Sequence, residues 1–130
     1  MIVDSSAIVA ILRAEPDAEK FAKAIKSAPK RRVSAASYVE AAVVIDGGGD
    51  PVASRRFDDF FRVSGVVVEV VTPKQAELAR QAYRDFGKGR HKAGLNFGDC
   101  FAYALAKEMD EPLLFKGKDF SHTDIEAVKK

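Results

Sequence analysis

Short apolar runs alternate with longer helical segments along the chain, and this alternation constrains the fold more than any other feature. β-Strands are predicted at residues 1–4, 32–34, 66–71 and 112–115, with a last short strand at 125–128 to close the sheet. Helical spacing of apolar residues predicts helices at 5–13, 16–27, 35–45, 51–61, 73–86 and 97–107. Strands that are each followed by one or two helices form parallel sheets with helices on both faces. We therefore expect an α/β fold in three layers, with a short, mainly parallel central sheet.

The composition is that of an ordinary globular protein. At 130 residues, with 47% apolar and 31% charged residues, the chain fits one compact domain spanning residues 1–130. A lone cysteine, Cys100, excludes an intrachain disulfide and is expected to be a small buried apolar residue. The opening segment has no basic region or cleavage site of a signal peptide, and no apolar run is long enough to span a bilayer. We expect a cytoplasmic protein with no membrane partner.

Three carboxylates stand alone in stretches that otherwise carry no charge. Asp4 is the only charged residue from Met1 through Leu12, and Glu40 is the only one between residues 33 and 45. Asp99 is the only one between residues 93 and 106. Glu69 is also isolated, but strand alternation is enough to turn it towards solvent. The first three acids lie on segments that are expected to be largely buried.

A buried, unpaired carboxylate costs several kcal/mol, so it requires a cation, hydrogen bonds or protonation. The three segments contain no lysine or arginine, and one shared metal ion would serve all three acids. Oxygen ligands favour Mg²⁺ or Mn²⁺. Asp4 ends the first predicted strand, and ligands of parallel α/β sheets gather at the carboxyl ends of the strands. The pattern therefore predicts a site held by Asp4, Glu40 and Asp99.

Each acid also has a purely structural alternative. Asp4 could cap the helix that follows it. Asp99 could form an approximate capping box with Asn96. Glu40 could form an ion pair with a distant lysine or arginine. Taken together, the three acids favour a metal site over three separate structural roles.

Four segments resemble the sequence motifs of PIN domains, in order and over essentially the whole chain. The first is MIVDSSAIVAIL, in which Asp4 is followed by Ser6, and the second is Ser37 to Ala42, which contains Glu40. The most specific is RHKAGLNFGDCFAYALA, residues 90–106, and the fourth is PLLFKGKDF, residues 112–120. Together they resemble the VapC toxins of type II toxin–antitoxin systems.

This resemblance implies a Rossmann-like PIN fold and an endoribonuclease that depends on Mg²⁺ or Mn²⁺. It also implies a VapB-type antitoxin as partner, a homodimer, and a heterotetramer or larger assembly with the antitoxin. Asp4, Glu40 and Asp99 match the acidic positions of the family, and Asp119 matches a fourth, less constant acid. Asp124 is a nearby alternative for that fourth position. Ser6 matches a hydroxyl that supports the acids.

Asp4 and Asp99 are interpreted as direct metal ligands. Glu40 could bind a second metal, bind the metal through water, or orient the nucleophile, and Asp119 would complete the acidic cluster. Whether one or two metals act stays open. An acidic site repels RNA, so flanking cations must hold the phosphates. The glycine-rich loop 87–94 offers Lys88, Arg90 and Lys92, and Arg13 ends the first helix. For these basic residues, solvated surface is an equally good interpretation.

Two other classes of protein compete with a nuclease. A receiver-like signalling domain also has an aspartate at a strand end, and Lys116 could imitate its late lysine. That class gives no role to Glu40 or Asp99. A non-catalytic PIN-type module that binds RNA or protein is the second alternative, although it would gain little from a full set of acids. The RNA target and cleavage site are not predicted by the sequence.

Overall fold

Four short parallel strands form the central sheet of the computed structural model, which describes residues 1–129. The strands are β1 (Ile2–Val3), β2 (Arg32–Ser34), β3 (Val67–Glu69) and β4 (Leu113–Leu114), in the order β3-β2-β1-β4. Ile2 of β1 pairs with Arg32 on one side and with Leu113 on the other. All three strand pairings are parallel, so the carboxyl ends of the strands lie at one edge of the sheet.

Helices connect the strands, and their starts follow the sequence signals. They are α1 (Ser5–Leu12), α2 (Ala18–Ser27), α3 (Ala35–Asp46), α4 (Pro51–Val63), α5 (Pro73–Phe86) and α6 (Phe97–Met109). Asp50 and Thr72 cap α4 and α5, each followed by a proline at the first helical position. Proline is favoured at the first helical position because the first amides of a helix have no carbonyl partner within it. A 3₁₀ turn spans Asp119–His122.

The sheet separates two apolar layers, which confirms the predicted three-layer α/β arrangement. Ile2 and Leu113 face a layer built from α5 and α6, while Val3 and Leu114 face α1 to α4. All four side chains are fully buried. Burial of each such side chain contributes about 1.5–3 kcal/mol. Successive strand residues therefore anchor opposite layers, as the two-residue period of a strand requires.

Two predicted strands differ from the structure. The strand expected at residues 66–71 is reduced to β3, which is an edge strand paired only with β2. Val70 is 73% exposed, so the β-branched residues after Glu69 have no layer to pack against. The closing strand expected at 125–128 is a single parallel bridge between Leu113 and Ala127. Two backbone hydrogen bonds, Leu113 N–H to Glu126 and Val128 N–H to Leu113, hold it there.

Within residues 1–129, none of the helices is both long enough and apolar enough to cross a lipid bilayer.

Candidate functional site

Asp4 lies directly after β1 at the carboxyl edge of the sheet and is 2% exposed. Its Oδ2 accepts hydrogen bonds from the Ser6 backbone N–H at 3.0 Å and from Ser6 Oγ at 2.6 Å, so Asp4 caps α1. The capping role expected as an alternative is therefore present, but it uses only one carboxylate oxygen. Oδ1 is buried and has no hydrogen-bond partner among residues 1–129. Asp4 Oδ1 is therefore a buried oxygen that can still accept a hydrogen bond or bind a cation.

Burial raises the pKa of Asp4 from 3.8 to about 6. The hydrogen bonds from Ser6 act in the opposite direction, and the nearby charge of Glu40 raises the pKa further. The charged form is disfavoured because no cation compensates for lost hydration. Near neutral pH, the Asp4 carboxylate is thus an unsatisfied anion.

Asp99 lies in the first turn of α6 and is 9% exposed. It completes a capping box with Asn96. The Asn96 N–H donates to Asp99 Oδ2 at 3.0 Å, and the Asp99 N–H donates to Asn96 Oδ1 at 2.9 Å. Burial is the largest reason that the pKa of Asp99 rises from 3.8 to about 7; the charges of Asp4, Asp119 and Glu40 add to the rise, while the hydrogen bond from Asn96 opposes it. The structure therefore brings Asp4, Asp119 and Glu40 within electrostatic range of Asp99.

Glu40 lies in the second turn of α3 and is half-buried. Its Oε1 accepts a hydrogen bond from Ser5 Oγ at 2.5 Å, and it forms no ion pair with a lysine or arginine among residues 1–129. Its carboxylate lies directly against Gly98, because a Cβ added at Gly98 would overlap it. The distant ion pair considered from the sequence is absent from the described chain. Instead, α3 directs Glu40 to the start of the helix that carries Asp99.

The four acids are not arranged as a preformed coordination shell. In the part of the chain that the structure describes, no group of three His, Cys, Asp or Glu side chains converges closely enough to hold a metal as it stands. Asp4, Asp99 and Glu40 are each turned towards a local donor, on Ser6, Asn96 and Ser5 respectively. The acids are nevertheless close enough that their charges act on each other, since Glu40 raises the pKa of Asp4, and Asp4, Asp119 and Glu40 raise that of Asp99.

Lys116 supports the site from the end of β4, a role that sequence reasoning missed. Its backbone N–H donates to Ser6 Oγ at 2.9 Å, which orients the hydroxyl towards Asp4. Its ammonium pairs with Glu15 at 2.6 Å and with Asp17 at 3.2 Å. The ammonium is thus directed at the α1–α2 connection and not at Asp4, so the lysine of a receiver-like domain is not reproduced. In the sequence, the only sign of this role is that Lys116 follows an apolar strand. Its contacts could not be predicted, because its partners lie about a hundred residues away along the chain.

Asp119 and Asp124 occupy different environments. Asp119 begins the 3₁₀ turn and is exposed, and its charge is one of those that raise the pKa of Asp99. Asp124 accepts from Tyr103 Oη at 2.7 Å and pairs with Lys107 Nζ at 2.6 Å. Burial raises the pKa of Asp124, but these two partners outweigh it and lower the pKa overall. Asp124 is therefore already paired with a cation, whereas the charge of Asp119 acts on Asp99.

The predicted RNA-binding cations are all exposed. Arg13 caps the C-terminus of α1, and Lys88, Arg90 and Lys92 lie on the loop before α6. Backbone hydrogen bonds between Lys88 and Leu95 and between Leu95 and Phe86 close this loop. The Arg90 guanidinium lies over the Tyr83 ring, 5.6 Å from its centroid. The loop is anchored at its base, and its three cations remain exposed.

Comparison with known proteins adds an independent line of evidence. The model of the PIN-domain family matches residues 1–126. The chain is 57% identical to ribonuclease VapC28 of Mycobacterium tuberculosis over 129 residues, which covers 98% of this chain and 97% of that protein.

Two solved structures share the fold. One is Mycobacterium tuberculosis VapC20, a toxin that cleaves the sarcin–ricin loop, with a TM-score of 0.76 and 21% identity over 99% of this chain and 98% of that one. The other is a toxin–antitoxin complex from Klebsiella pneumoniae, with a TM-score of 0.71 and 14% identity over 95% and 92%. At these identities they support the fold alone. The family model and the ribonuclease relative go further: the chain belongs to the PIN-domain family and, within it, to the VapC ribonucleases.

Proposed function

We propose that the chain, as one PIN domain, is the toxin of a type II toxin–antitoxin system and cleaves RNA internally with Mg²⁺ or Mn²⁺ bound by Asp4, Asp99 and Glu40. The observation that carries this assignment is the Asp4 carboxylate. It is 2% exposed, and its Oδ1 has no hydrogen-bond partner among residues 1–129. A buried polar atom without a partner costs about 1–3 kcal/mol, and more when it is charged. A cation at Oδ1 would remove that cost.

The donor set fits a hard divalent cation. Asp4, Asp99, Glu40 and Asp119 offer only oxygen atoms, which Mg²⁺ and Mn²⁺ prefer. Burial raises the pKa of Asp4 to about 6 and that of Asp99 to about 7, and a cation bound between them would stabilise their charged forms. Perturbed carboxylates at the carboxyl edge of a parallel sheet are typical of functional sites.

Each residue has a distinct role in the proposed hydrolysis. A bound divalent cation would lower the pKa of the attacking water and offset the negative charge that builds on the phosphate. Ser6 holds Asp4 by its hydroxyl, and Asn96 holds Asp99 through the capping box. Glu40 lies against Gly98, the residue before Asp99, where it can accept a proton from water or complete the ligand set. Asp119 adds negative charge at the outer side of the site.

Cations must offset the repulsion between these acids and RNA. Lys88, Arg90 and Lys92 lie on the exposed loop that leads into α6, and we assign them to the phosphates of the substrate. Arg13 at the end of α1 is assigned to the same role. Their exposure and flexible stems suit a backbone whose position varies with RNA sequence.

We infer that a VapB-type antitoxin neutralises the nuclease. The support is the family membership and the shared fold with the toxin–antitoxin complex from Klebsiella pneumoniae. A homodimer that combines with antitoxin into a heterotetramer or larger assembly is part of the same proposal.

Cleavage of a defined RNA panel by the purified chain tests this function. We expect cutting with Mg²⁺ or Mn²⁺ and none with EDTA. A folded, antitoxin-free protein that cuts no member of a broad panel would favour a non-catalytic binding module. Cutting that survives EDTA would remove the metal from the proposal.

Replacing Gly98 with alanine is predicted to displace Glu40 without unfolding the protein. The added Cβ would overlap the Glu40 carboxylate, the movable end of a long side chain. We expect the cleavage rate to fall about 10- to 100-fold, the range for disturbed supporting groups of metal sites. Thermal stability should be equal or slightly higher, because alanine is favoured over glycine in a helix by about 0.5–1 kcal/mol. Gly48→Ala is the matched control, since its Cβ would meet Ile45 O at an ordinary 3.6 Å. Equal activity of the Gly98 and Gly48 variants would contradict the placement of Glu40.

Asp119→Asn is predicted to lower the cleavage rate, and Asp124→Asn is predicted to lower the stability of the fold instead. Loss of the Asp119 charge should lower cleavage by about tenfold and lower the pKa of Asp99, which that charge helps to raise. Asp124→Asn breaks the half-exposed pair with Lys107, so it should cost up to about 1 kcal/mol of stability and leave the cleavage rate unchanged. Rate measurements beside urea unfolding separate the two. The reverse result would make Asp124 the fourth acid.

A further inference from the structure

An apolar groove runs between α5 and α6 and opens at the N-terminal end of α6. We call it the α5–α6 groove; Arg80 and Tyr83 line it from α5, and Phe97 and Phe101 line it from α6. Its volume is about 400 Å³, within the range of pockets that bind small molecules. Nothing in the assignment of the acids or of the basic loop accounts for it.

Phe97 is the unusual residue of this groove. Its side chain is 80% exposed, and Tyr83 on the facing helix is 43% exposed. Phe97 is held edge-on against Phe101, with ring centroids 5.0 Å apart. A phenylalanine fixed in this way, with one face open, leaves apolar surface in water that burial by a ligand would stabilise.

The groove adjoins the acids. Phe97 is the first residue of α6, followed by Gly98, against which Glu40 packs, and by Asp99. Residues two positions apart project from nearly opposite sides of a helix, so the Phe97 ring and the Asp99 carboxylate flank the first turn of α6 on different sides. A molecule that extends from the acids over the start of α6 would meet the Phe97 ring.

Charge favours one class of occupant. Arg80 lies in the groove wall, and Arg90 lies over the Tyr83 ring on the loop that also carries Lys88 and Lys92. Open aromatic rings flanked by arginine are the combination by which proteins bind single-stranded nucleic acid, with bases stacked on the rings and phosphates paired with the cations. A second copy of this chain would have to bring anions to these arginines as well as an apolar face.

We propose that the α5–α6 groove is a base-binding subsite, in which an unpaired base of the RNA next to the cleaved phosphodiester stacks on Phe97 while Arg80 and Arg90 contact the flanking phosphates. This inference rests on the proposed ribonuclease function and adds the requirement for an unpaired base. Stacking depends on the ring and not on one pattern of hydrogen bonds, so the subsite selects unpaired RNA over duplex RNA.

Steady-state cleavage of a short single-stranded RNA tests the subsite. For Phe97→Ala we expect KM to rise at least about fivefold, which is the lower end of the loss for one base–aromatic stack. Phe97→Tyr keeps the ring and should stay close to the unchanged protein. Val63→Ala is the matched control, because Val63 is 75% exposed on α4 and outside the groove. Its KM should not change.

Abasic substrates separate stacking from damage to the fold. Removing single bases on either side of the cleaved bond should, at one position, raise KM of the unchanged protein as much as Phe97→Ala does. At that position Phe97→Ala should show no further loss. Equal KM for all variants, or a Phe97→Ala defect that adds fully to the abasic defect at every position, would overturn the subsite.

Two further outcomes have distinct meanings. If the unchanged protein cuts no RNA with Mg²⁺ or Mn²⁺, the proposed function fails, and the subsite that rests on it fails as well. If Phe97→Ala turns a dimer into a monomer in light scattering and abasic substrates are cut as well as intact ones, the groove belongs to a second copy of the chain and the base-binding subsite is wrong.

Discussion

Asp4→Asn and Asp99→Asn are each expected to reduce metal-dependent RNA cleavage at least about 10³-fold. A bound metal stabilises the transition state by several kcal/mol, and each 1.36 kcal/mol that is lost lowers the rate tenfold. The amide keeps the shape of the carboxylate and can still accept from Ser6 or Asn96, so the caps of α1 and α6 persist. Single-turnover cleavage of a defined RNA at saturating Mg²⁺ measures the loss.

The control for these variants is an aspartate outside the site. Asp58 is exposed on α4, and Asp58→Asn should cleave at the rate of the unchanged protein. Circular dichroism of all three variants should report the same helical content. Activity within tenfold of the unchanged protein in either Asp4→Asn or Asp99→Asn would show that the acid in question is not at the reacting centre.

The stability of the metal-free protein is expected to depend on pH through the same two acids. Asp4 and Asp99 have pKa values raised from 3.8 to about 6 and to about 7, so the folded chain holds their protons more tightly than the unfolded chain does. Their contribution is fully present below about pH 4 and is lost as the pH rises through about 6 and 7. For the fully buried Asp4 the loss is on the order of 3 kcal/mol. Mg²⁺ or Mn²⁺ at pH 7 should restore much of it.

Other acids make the folded protein more stable as the pH rises, so the effect of Asp4 is measured as a difference in stability between two proteins. Asp124 has a lowered pKa and gains stability as the pH rises, as does Glu111, which is paired with Arg32. Urea unfolding in EDTA between pH 4 and 7.5 should therefore be compared between the unchanged protein and Asp4→Asn. The variant should be the more stable of the two at pH 7 and the advantage should vanish near pH 4. An advantage that is the same at both pH values would contradict a raised pKa of Asp4.

The features that were predictable from sequence are local ones. The caps at Asp4 and Asn96, and the apolar spacing of the helices, depend on neighbours a few residues away. The solitary acids were visible for the same reason, because each lies in a charge-free segment. The parallel order of the strands then follows from the helices between them, and with it the gathering of the acids at one edge.

The features that were not predictable depend on partners far along the chain. Glu69 is as isolated in sequence as Glu40, yet it pairs with Arg32 at 3.1 Å across the sheet. The backbone N–H of Lys116 donates a hydrogen bond to Ser6 Oγ, and a contact made by the backbone cannot be predicted from the pattern of side chains. The strand at β3 is short because it lies at the sheet edge, and position in the sheet is a tertiary property. Phe97 fits a core pattern in sequence, and only the structure places its ring in solvent.

The central claim is that Asp4 and Asp99 hold a divalent cation, and Mn²⁺ binding measures it without any RNA. Electron paramagnetic resonance titration of the metal-free chain with Mn²⁺ at pH 7.5 should be run beside Asp4→Asn, Asp99→Asn and Asp58→Asn. We predict saturable binding that is lost in both site variants and unchanged in the Asp58 variant. Binding of equal affinity in all four proteins would contradict the account, since the buried oxygen of Asp4 would then have no part in holding the metal.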